Sequence, residues 1–357
     1  MLKTVFNGSI KYLQVMDENG NIDKDQFPKD LTDDKIIELY KYMSLGREMS
    51  DKLVSLQRAG LMPTIVPIYG EEATQAGSAY ALTKDDFIIP TFRQHLSLII
   101  KGVSIYSIFL YFKGYEEGFN LGSVENCGPE IAPVGAGIPH AAGLAFSLKY
   151  KKNPNVVMTY VGDGGTSEGD FNEGLNFAGV NKVPLVTIIE NNEWAISVPR
   201  SKQTAAETLA QKAFAFGMDT IQVDGNDVIA VYKATKDAID SIKKGGRPYV
   251  IEALTYRMGM HTTADDPSKY RPESDVDAWK PKDPLIRVRK YLTAKKLWDD
   301  TKEAAMKEEH NKLFDDAMDK LKDFKPDPKS IFENSLSFMP ETLQEEEDEA
   351  VKNNFWQ

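Results

Sequence analysis

Val156-Val157-Met158-Thr159-Tyr160-Val161-Gly162-Asp163-Gly164-Gly165 is the stretch that decides the fold. A short apolar run without polar alternation, ending in glycine, reads as a strand buried on both faces. In an open parallel sheet, ligands bind outside the carboxyl ends of the strands, and this glycine loop lies at such an end. Glycines there let backbone N–H groups approach a phosphate, and the following helix brings the positive end of its dipole. Gly-Asp-Gly differs from the dinucleotide and phosphate-loop patterns, and alone it is most often a turn. A second strand, Pro184–Ile189, adds the missing half, because it runs out in Glu190-Asn191-Asn192-Glu193-Trp194, with Asn192 lying 29 residues beyond Asp163. One βαβ unit spans about that length, so the two loops should be neighbours. A carboxylate from Asp163, an amide oxygen from Asn192 and a backbone carbonyl just beyond form an oxygen-only donor set. Such a set suits Mg2+ shared with a diphosphate; the alternative is turn and cap chemistry.

Two further short runs, Thr220–Val223 and Tyr249–Ala253, read as strands, and helical patterns cover Pro139 to about Lys151, about Asp170 to Val180, and Asp227 to about Lys243. This alternation predicts an α/β fold with a doubly wound, mainly parallel sheet and helices on both faces. Residues 1–33 read as an N-terminal arm, polar and irregular, with a turn at Glu18-Asn19-Gly20-Asn21. Residues 34–275 form the α/β domain, and 276–357 a helical C-terminal extension packed on it. Ile36, Leu39, Tyr40, Met43, Met49, Leu53 and Leu56 predict a long helix from about Asp34, stopped by Gly60 with Pro63 beyond. In the extension, Leu285, Ile286, Val288 and Leu292, then Leu313, Phe314, Met318 and Leu321, mark two amphipathic helices. Pro326 and Pro328 break the pattern, and the acidic run Glu345–Glu349 reads as a solvated end.

The 357 residues carry 43 Lys plus Arg against 54 Asp plus Glu, a net charge of −11, which argues against nucleic-acid binding. With 41% hydrophobic and 27% charged residues the composition is that of a folded, soluble protein. A single cysteine, Cys127, excludes an intrachain disulfide and a Cys-rich metal site and suits a reducing compartment. Residues Met1–Gly8 lack the apolar stretch of a signal peptide, and no run approaches the ~18 apolar residues of a spanning helix. The expectation is a cytoplasmic protein without membrane contact.

Gly162-Asp163-Gly164, 26 residues, then Asn191-Asn192 resembles the thiamin diphosphate-binding motif. The flanking text, Gly165-Thr166-Ser167-Glu168-Gly169-Asp170 and Glu193-Trp194-Ala195-Ile196-Ser197-Val198-Pro199, resembles the α subunit of the E1 component of 2-oxo acid dehydrogenase complexes, nearest to the branched-chain type. The likeness runs from about residue 34 to the C-terminus, through Tyr69-Gly70-Glu71-Glu72-Ala73, Val223-Asp224-Gly225-Asn226-Asp227 and Met260-His261-Thr262-Thr263-Ala264-Asp265-Asp266. The resemblance implies thiamin diphosphate and Mg2+ as cofactors, with Asp163 and Asn192 binding the metal by side chain and Trp194 by its carbonyl. It places Gly162, Gly164 and Gly165 at the diphosphate together with Arg93, and Phe92, Ala132, Val134, Ala195 and Ile196 around the rest of the cofactor. His261 matches the family's active-site histidine, implicated in passing the acyl group to lipoamide. The implied reaction is oxidative decarboxylation of a branched-chain 2-oxo acid with acyl transfer to the lipoyl group of E2. Implied partners are an E1 β subunit in an α2β2 heterotetramer, the E2 core and, through it, E3. A pyruvate or acetoin dehydrogenase α subunit is the alternative within the family, and a non-catalytic binding or regulatory subunit the alternative outside it.

Relatives often carry Tyr and Arg where this chain has Phe92 and Glu190. Ala136 and Gly137 offer no side-chain ligand for the K+ ion that some members hold. The stretch Arg257–Arg271 resembles a loop that relatives phosphorylate, with Thr262 at such a position, and Asp265, Tyr270 and Arg271 match residues that support lipoyl-domain docking. Of the remaining histidines, His95 and His140 read as structural, with His140 a candidate core residue in an apolar helix, and His310 as a surface residue. A histidine in the Gly/Thr/Asp-rich stretch around His261 is expected to titrate near neutrality.

Overall fold

The structure is a computed structural model describing every residue except 120–123, 328, 334–335 and 354–357. In chain order its elements are β1 (Tyr12–Leu13), α1 (Asp33–Arg58), α2 (Glu72–Tyr80), β2 (Phe87–Ile89), α3 (His95–Ile100), α4 (Ile105–Lys113), α5 (Gly137–Tyr150), β3 (Val157–Gly162), α6 (Gly169–Asn181), β4 (Leu185–Asn191), β5 (Trp194–Ala195), β6 (Val198–Pro199), α7 (Arg200–Gln203), β7 (Asp219–Asp224), α8 (Val228–Lys243) and β8 (Tyr249–Leu254). Then follow α9 (Glu273–Trp279), α10 (Pro284–Ala294), α11 (Asp300–Asp323), α12 (Ser330–Glu333) and α13 (Glu341–Lys352). Six strands pair in the order β1-β7-β8-β4-β3-β2, every neighbour parallel.

Alternation along β3 shows why the sheet is covered on both faces. Met158 and Tyr160 join the large apolar cluster that also holds Ile36 and Met43 of α1, Ala73 and Ala76 of α2 and Val231 of α8. Val157 and Val161 point the other way, into clusters with Ala141 and Ala145 of α5 and with Phe171 and Leu175 of α6. In β4, Val186 and Ile188 join the first face, and Leu185 and Ile189 the second. A strand buried on both sides carries no polar alternation, which is the pattern seen in its sequence.

The central strands, helices α5, α6 and α8 and the long first helix stand where the sequence places them, to within two or three residues at the ends. Other parts differ. The arm is not wholly irregular, because β1 pairs with β7 and extends the sheet by one edge strand. Asp227 accepts from the N–H groups of Val15 and Met16, both at 2.6 Å, and so anchors the arm to the start of α8. β2 has only three residues and pairs with β3. Both strands are too short for a period-two signal. The turn expected at Glu18–Asn21 is present, and Gly20, at φ +82°, passes so close to the Tyr291 backbone that a Cβ would lie 2.8 Å from its nitrogen.

The acidic run lies in α13 with Glu345, Glu346, Asp348 and Glu349 exposed as expected, but Glu347 is buried and pairs with Lys329 at 3.2 Å. His310 is buried, its Nδ1 3.0 Å from Glu48 Oε2, because α11 packs that face against α1. His140 is exposed, its Nδ1 bonded to the Ala136 carbonyl within α5, so it is not a core residue. Pro328 lies outside the described residues. Among the described residues no helix is long and apolar enough to cross a membrane.

Candidate active site

The register between strands explains how distant residues meet. Gly162 is paired with Glu190 across β3 and β4, so the loops after them start side by side. Beyond β8 the chain keeps its place against them: Thr255 N–H donates to the Asn191 carbonyl (2.9 Å) and Arg257 N–H to the Asn192 carbonyl (3.2 Å). This carries His261 to the same edge. After Gly162 the chain turns through a single tight turn, Gly164–Ser167, before α6. Thr166 closes that turn by donating to the Asp163 carbonyl (2.7 Å), and Lys212 clamps it from outside through Thr166 (2.8 and 2.9 Å). Loops after β2 supply the remaining wall. Together they enclose a cavity of about 450 Å³ at the carboxyl edge of the sheet, within the range of small-molecule sites.

All thirteen residues expected from the sequence line this cavity: Phe92, Arg93, Ala132, Val134, Gly162, Asp163, Gly164, Gly165, Asn192, Trp194, Ala195, Ile196 and His261. Glu71, Gln94, Glu168, Glu190 and Gln203 line it too. Glycine is demanded at two of these positions. A Cβ on Gly164 would lie 2.7 Å from Ala195 Cβ, and one on Gly165 would run into Val161. Gln203 donates to the Gly164 carbonyl at 2.9 Å and fixes that peptide.

The charges are unevenly matched. Asp163 is buried, with Oδ2 lacking any hydrogen-bond partner. Burial, and secondly the charge of Glu193, push its carboxyl up to about 7. Glu190 is buried with Oε1 unpartnered while Gln94 donates to its other oxygen. Burial, then the neighbouring Glu71, raise it well above the usual carboxylate range. The cavity wall therefore presents three buried carboxyls, Glu71, Asp163 and Glu190, against the buried guanidinium of Arg93.

Arg93 is held on three sides. Nη1 donates to the Pro67 carbonyl (2.7 Å) and the His261 carbonyl (3.2 Å), Nη2 meets His261 Nδ1 (2.9 Å), and Nε lies 3.6 Å from Glu71. A guanidinium only donates, so Nδ1 of His261 accepts and its ring proton is assigned to Nε2. Burial, Arg93 and Arg257 lower His261 to about 4. It is thus neutral at physiological pH and does not titrate near neutrality as its loop position suggested.

Arg257, buried behind the wall, was not foreseen as a site residue. It donates to the carbonyls of Trp194 (3.1 Å) and Ile196 (2.6 Å) and to the Tyr270 hydroxyl (2.8 Å). Ile196 sits at φ +54°, a conformation that β-branched residues rarely adopt, and Arg257 holds its carbonyl there. Asp265 accepts from His261 N–H (2.8 Å) and from Tyr270 (2.6 Å), while Arg271 is buried and donates to backbone carbonyls of Arg257, Met258 and Gly259. The loop carrying His261 is thus braced by its own polar side chains. His95 lies outside the cavity wall, buried and paired with Glu130 at 2.7 Å.

A divalent cation fits these residues. Asp163 Oδ2 is a buried acceptor with no partner, Asn192 contributes an amide oxygen, and the Trp194 carbonyl keeps a second lone pair beside its bond from Arg257. An added positive charge would offset the carboxyl excess.

Comparison with known proteins gives the class of this chain. Residues 40–329 match the family model described as dehydrogenase E1 component. Proteins named pyruvate dehydrogenase E1 component subunit alpha, from Staphylococcus aureus (strain Mu50) and Staphylococcus epidermidis, are each 46% identical over 293 residues, covering 82% of this chain and 79% of theirs. The chain belongs to the dehydrogenase E1 component family, as an α subunit of the 2-oxo acid dehydrogenase kind. Membership implies thiamin diphosphate as the cofactor.

Proposed function

We propose that this chain is the α subunit of an α2β2 2-oxo acid dehydrogenase that uses thiamin diphosphate with Mg2+, decarboxylates pyruvate and acylates the lipoyl group of an E2 partner in the cytoplasm. The observation carrying the reading is the buried, unpartnered oxygen of Asp163 beside Asn192, at the ends of two adjacent parallel strands. Asp163, Asn192 and the Trp194 carbonyl hold Mg2+, and the Gly164 and Gly165 N–H groups meet the diphosphate with Arg93. Bound thiamin diphosphate supplies the electron sink for decarboxylation. His261, neutral with its proton on Nε2, donates a hydrogen bond to an anionic oxygen rather than acting as a cation. Phe92, edge-on to the His261 ring at 6.0 Å, and Val134 keep part of the wall apolar. Asp265, Tyr270 and Arg271 hold the loop against which the lipoyl domain docks, and Thr262 on that loop is the candidate phosphorylation site.

The substrate has two readings. The names of the relatives favour pyruvate, whereas the text flanking the motif favours a branched-chain 2-oxo acid. Both are separated by one experiment: the chain co-expressed with its β subunit is assayed with pyruvate, 3-methyl-2-oxobutanoate and acetoin. The highest kcat/KM is expected with pyruvate, and none with the chain alone. Preference for 3-methyl-2-oxobutanoate would select the branched-chain reading, and turnover by the chain alone would overturn the two-chain enzyme. Asp163→Ala is expected to abolish thiamin diphosphate binding; unchanged binding would favour a non-catalytic subunit.

A further inference from the structure

Glu71 is fully buried, immediately before α2, in a position that the chemistry above leaves unused. Its Oε1 accepts from Asn192 Nδ2 at 2.7 Å. Its Oε2 lies 3.6 Å from Arg93 Nε and faces the buried Glu190, whose raised carboxyl keeps its proton beside the Glu71 carboxylate. One carboxylate therefore touches both a side chain assigned to the metal and one assigned to the diphosphate.

The chemical consequence lies in the amide. An asparagine side chain presents nearly the same shape after a half-turn, but only its oxygen can bind a cation. A carboxylate accepts and does not donate, so Glu71 selects the Nδ2 end of Asn192. The oxygen is left on the other side, where it accepts from Trp194 N–H at 3.2 Å. Arg93, anchored on Pro67 and His261 through its outer nitrogens with one Nη2 N–H left for an anion, has Glu71 as the nearest carboxylate to Nε. Outer groups of this kind fix the orientation of metal ligands, and their loss commonly costs about 10–100-fold in metal affinity.

We propose that Glu71 is a positioning residue that sets the Asn192 amide with its oxygen toward the Mg2+ site and braces Arg93 in register with it. This rests on the reading of Asp163 and Asn192 as metal ligands, and the test separates the two. Glu71→Gln and Glu71→Met are both uncharged and close to glutamate in shape, but only glutamine keeps an acceptor for Nδ2. In the co-expressed enzyme, calorimetry gives the Mg2+ concentration that half-saturates thiamin diphosphate binding, and melting curves check folding. Glu71→Gln is expected to stay within about threefold of the parent, and Glu71→Met to need about 10–100-fold more Mg2+. Asn192→Asp has oxygen at both ends, so Glu71→Met in that background should cost less than about threefold. Equal Mg2+ requirements for Glu71→Gln and Glu71→Met, or an equal cost in both backgrounds, would overturn the positioning role. If Asp163→Ala binds Mg2+ and cofactor normally, the metal site itself is elsewhere and both readings fall.

Discussion

Asp163 combines a donor's chemistry with a cost that only a ligand removes. Its carboxyl is pushed up to about 7, so a proton and a divalent cation compete for it. Below that value the proton gains, and the Mg2+ concentration for half-saturation should rise by up to about tenfold per pH unit. Calorimetric titrations on either side of neutrality check this; a flat profile would remove Asp163 from the ligand set. Gly165 offers a steric test. Alanine there forces its Cβ into Val161, with Val134 at 3.1 Å, an overpacking worth about 1–3 kcal/mol. Gly165→Ala is expected to weaken thiamin diphosphate binding and lower the melting temperature, whereas Gly162→Ala, whose Cβ would meet nothing within 4 Å, should leave the fold intact. Asp163 and Asn192 could be paired from sequence because a buried strand before each loop announces where each side chain lands. Arg257 and Glu71 could not: their partners, Trp194, Ile196 and Asn192, lie 60 to more than 100 residues away, and no periodicity encodes those bonds.

Strands β3 and β4 were readable because full burial makes each a mainly apolar run bounded by turn residues, whereas the half-buried β7 showed itself through Ile221 and Val223 on alternate positions and β8 through Val250 and Ile251. β1 was not, since what holds it is tertiary. Asp227 caps α8 by accepting from Ile229 N–H (3.0 Å) and, with its other oxygen, takes the N–H groups of Val15 and Met16. The sequence shows the cap and conceals the second duty. Asp227→Ala removes all three bonds, for an expected loss of about 2–3 kcal/mol, read as a lower denaturation midpoint. Because the arm is freed first, limited proteolysis within residues 1–16 should accelerate more than cleavage of the sheet. Asp227→Asn, which retains an acceptor for the cap, should lose less. A similar masking applies to α13, where a run of like charges suggested solvent but one of them, Glu347, turns inward to Lys329.

Three segments that the sequence separates as arm, sheet domain and helical extension meet at Arg287 of α10. This side chain is fully buried and donates to Asp224 at the end of β7 (2.7 Å), to the Met16 carbonyl of the arm (3.0 Å) and to the Lys282 carbonyl (3.1 Å). Gln14 reaches the same oxygen of Asp224 from the arm at 2.8 Å. A charge held this way is costly to strand: removing one member of a buried pair typically costs about 3–5 kcal/mol, since the other keeps its desolvation penalty. Arg287→Met should therefore lower stability by about that much, and Arg287→Met with Asp224→Asn should recover part of it by neutralising the stranded carboxylate. The more informative readout is the shape of the calorimetric transition. If the extension and arm are one cooperative unit with the sheet, the parent melts in a single transition and the variant in a single, earlier one. A parent that melts in two steps, with only the first moved by the substitution, would mean that the extension folds as a separate body and that the junction at Arg287 is merely a contact between domains.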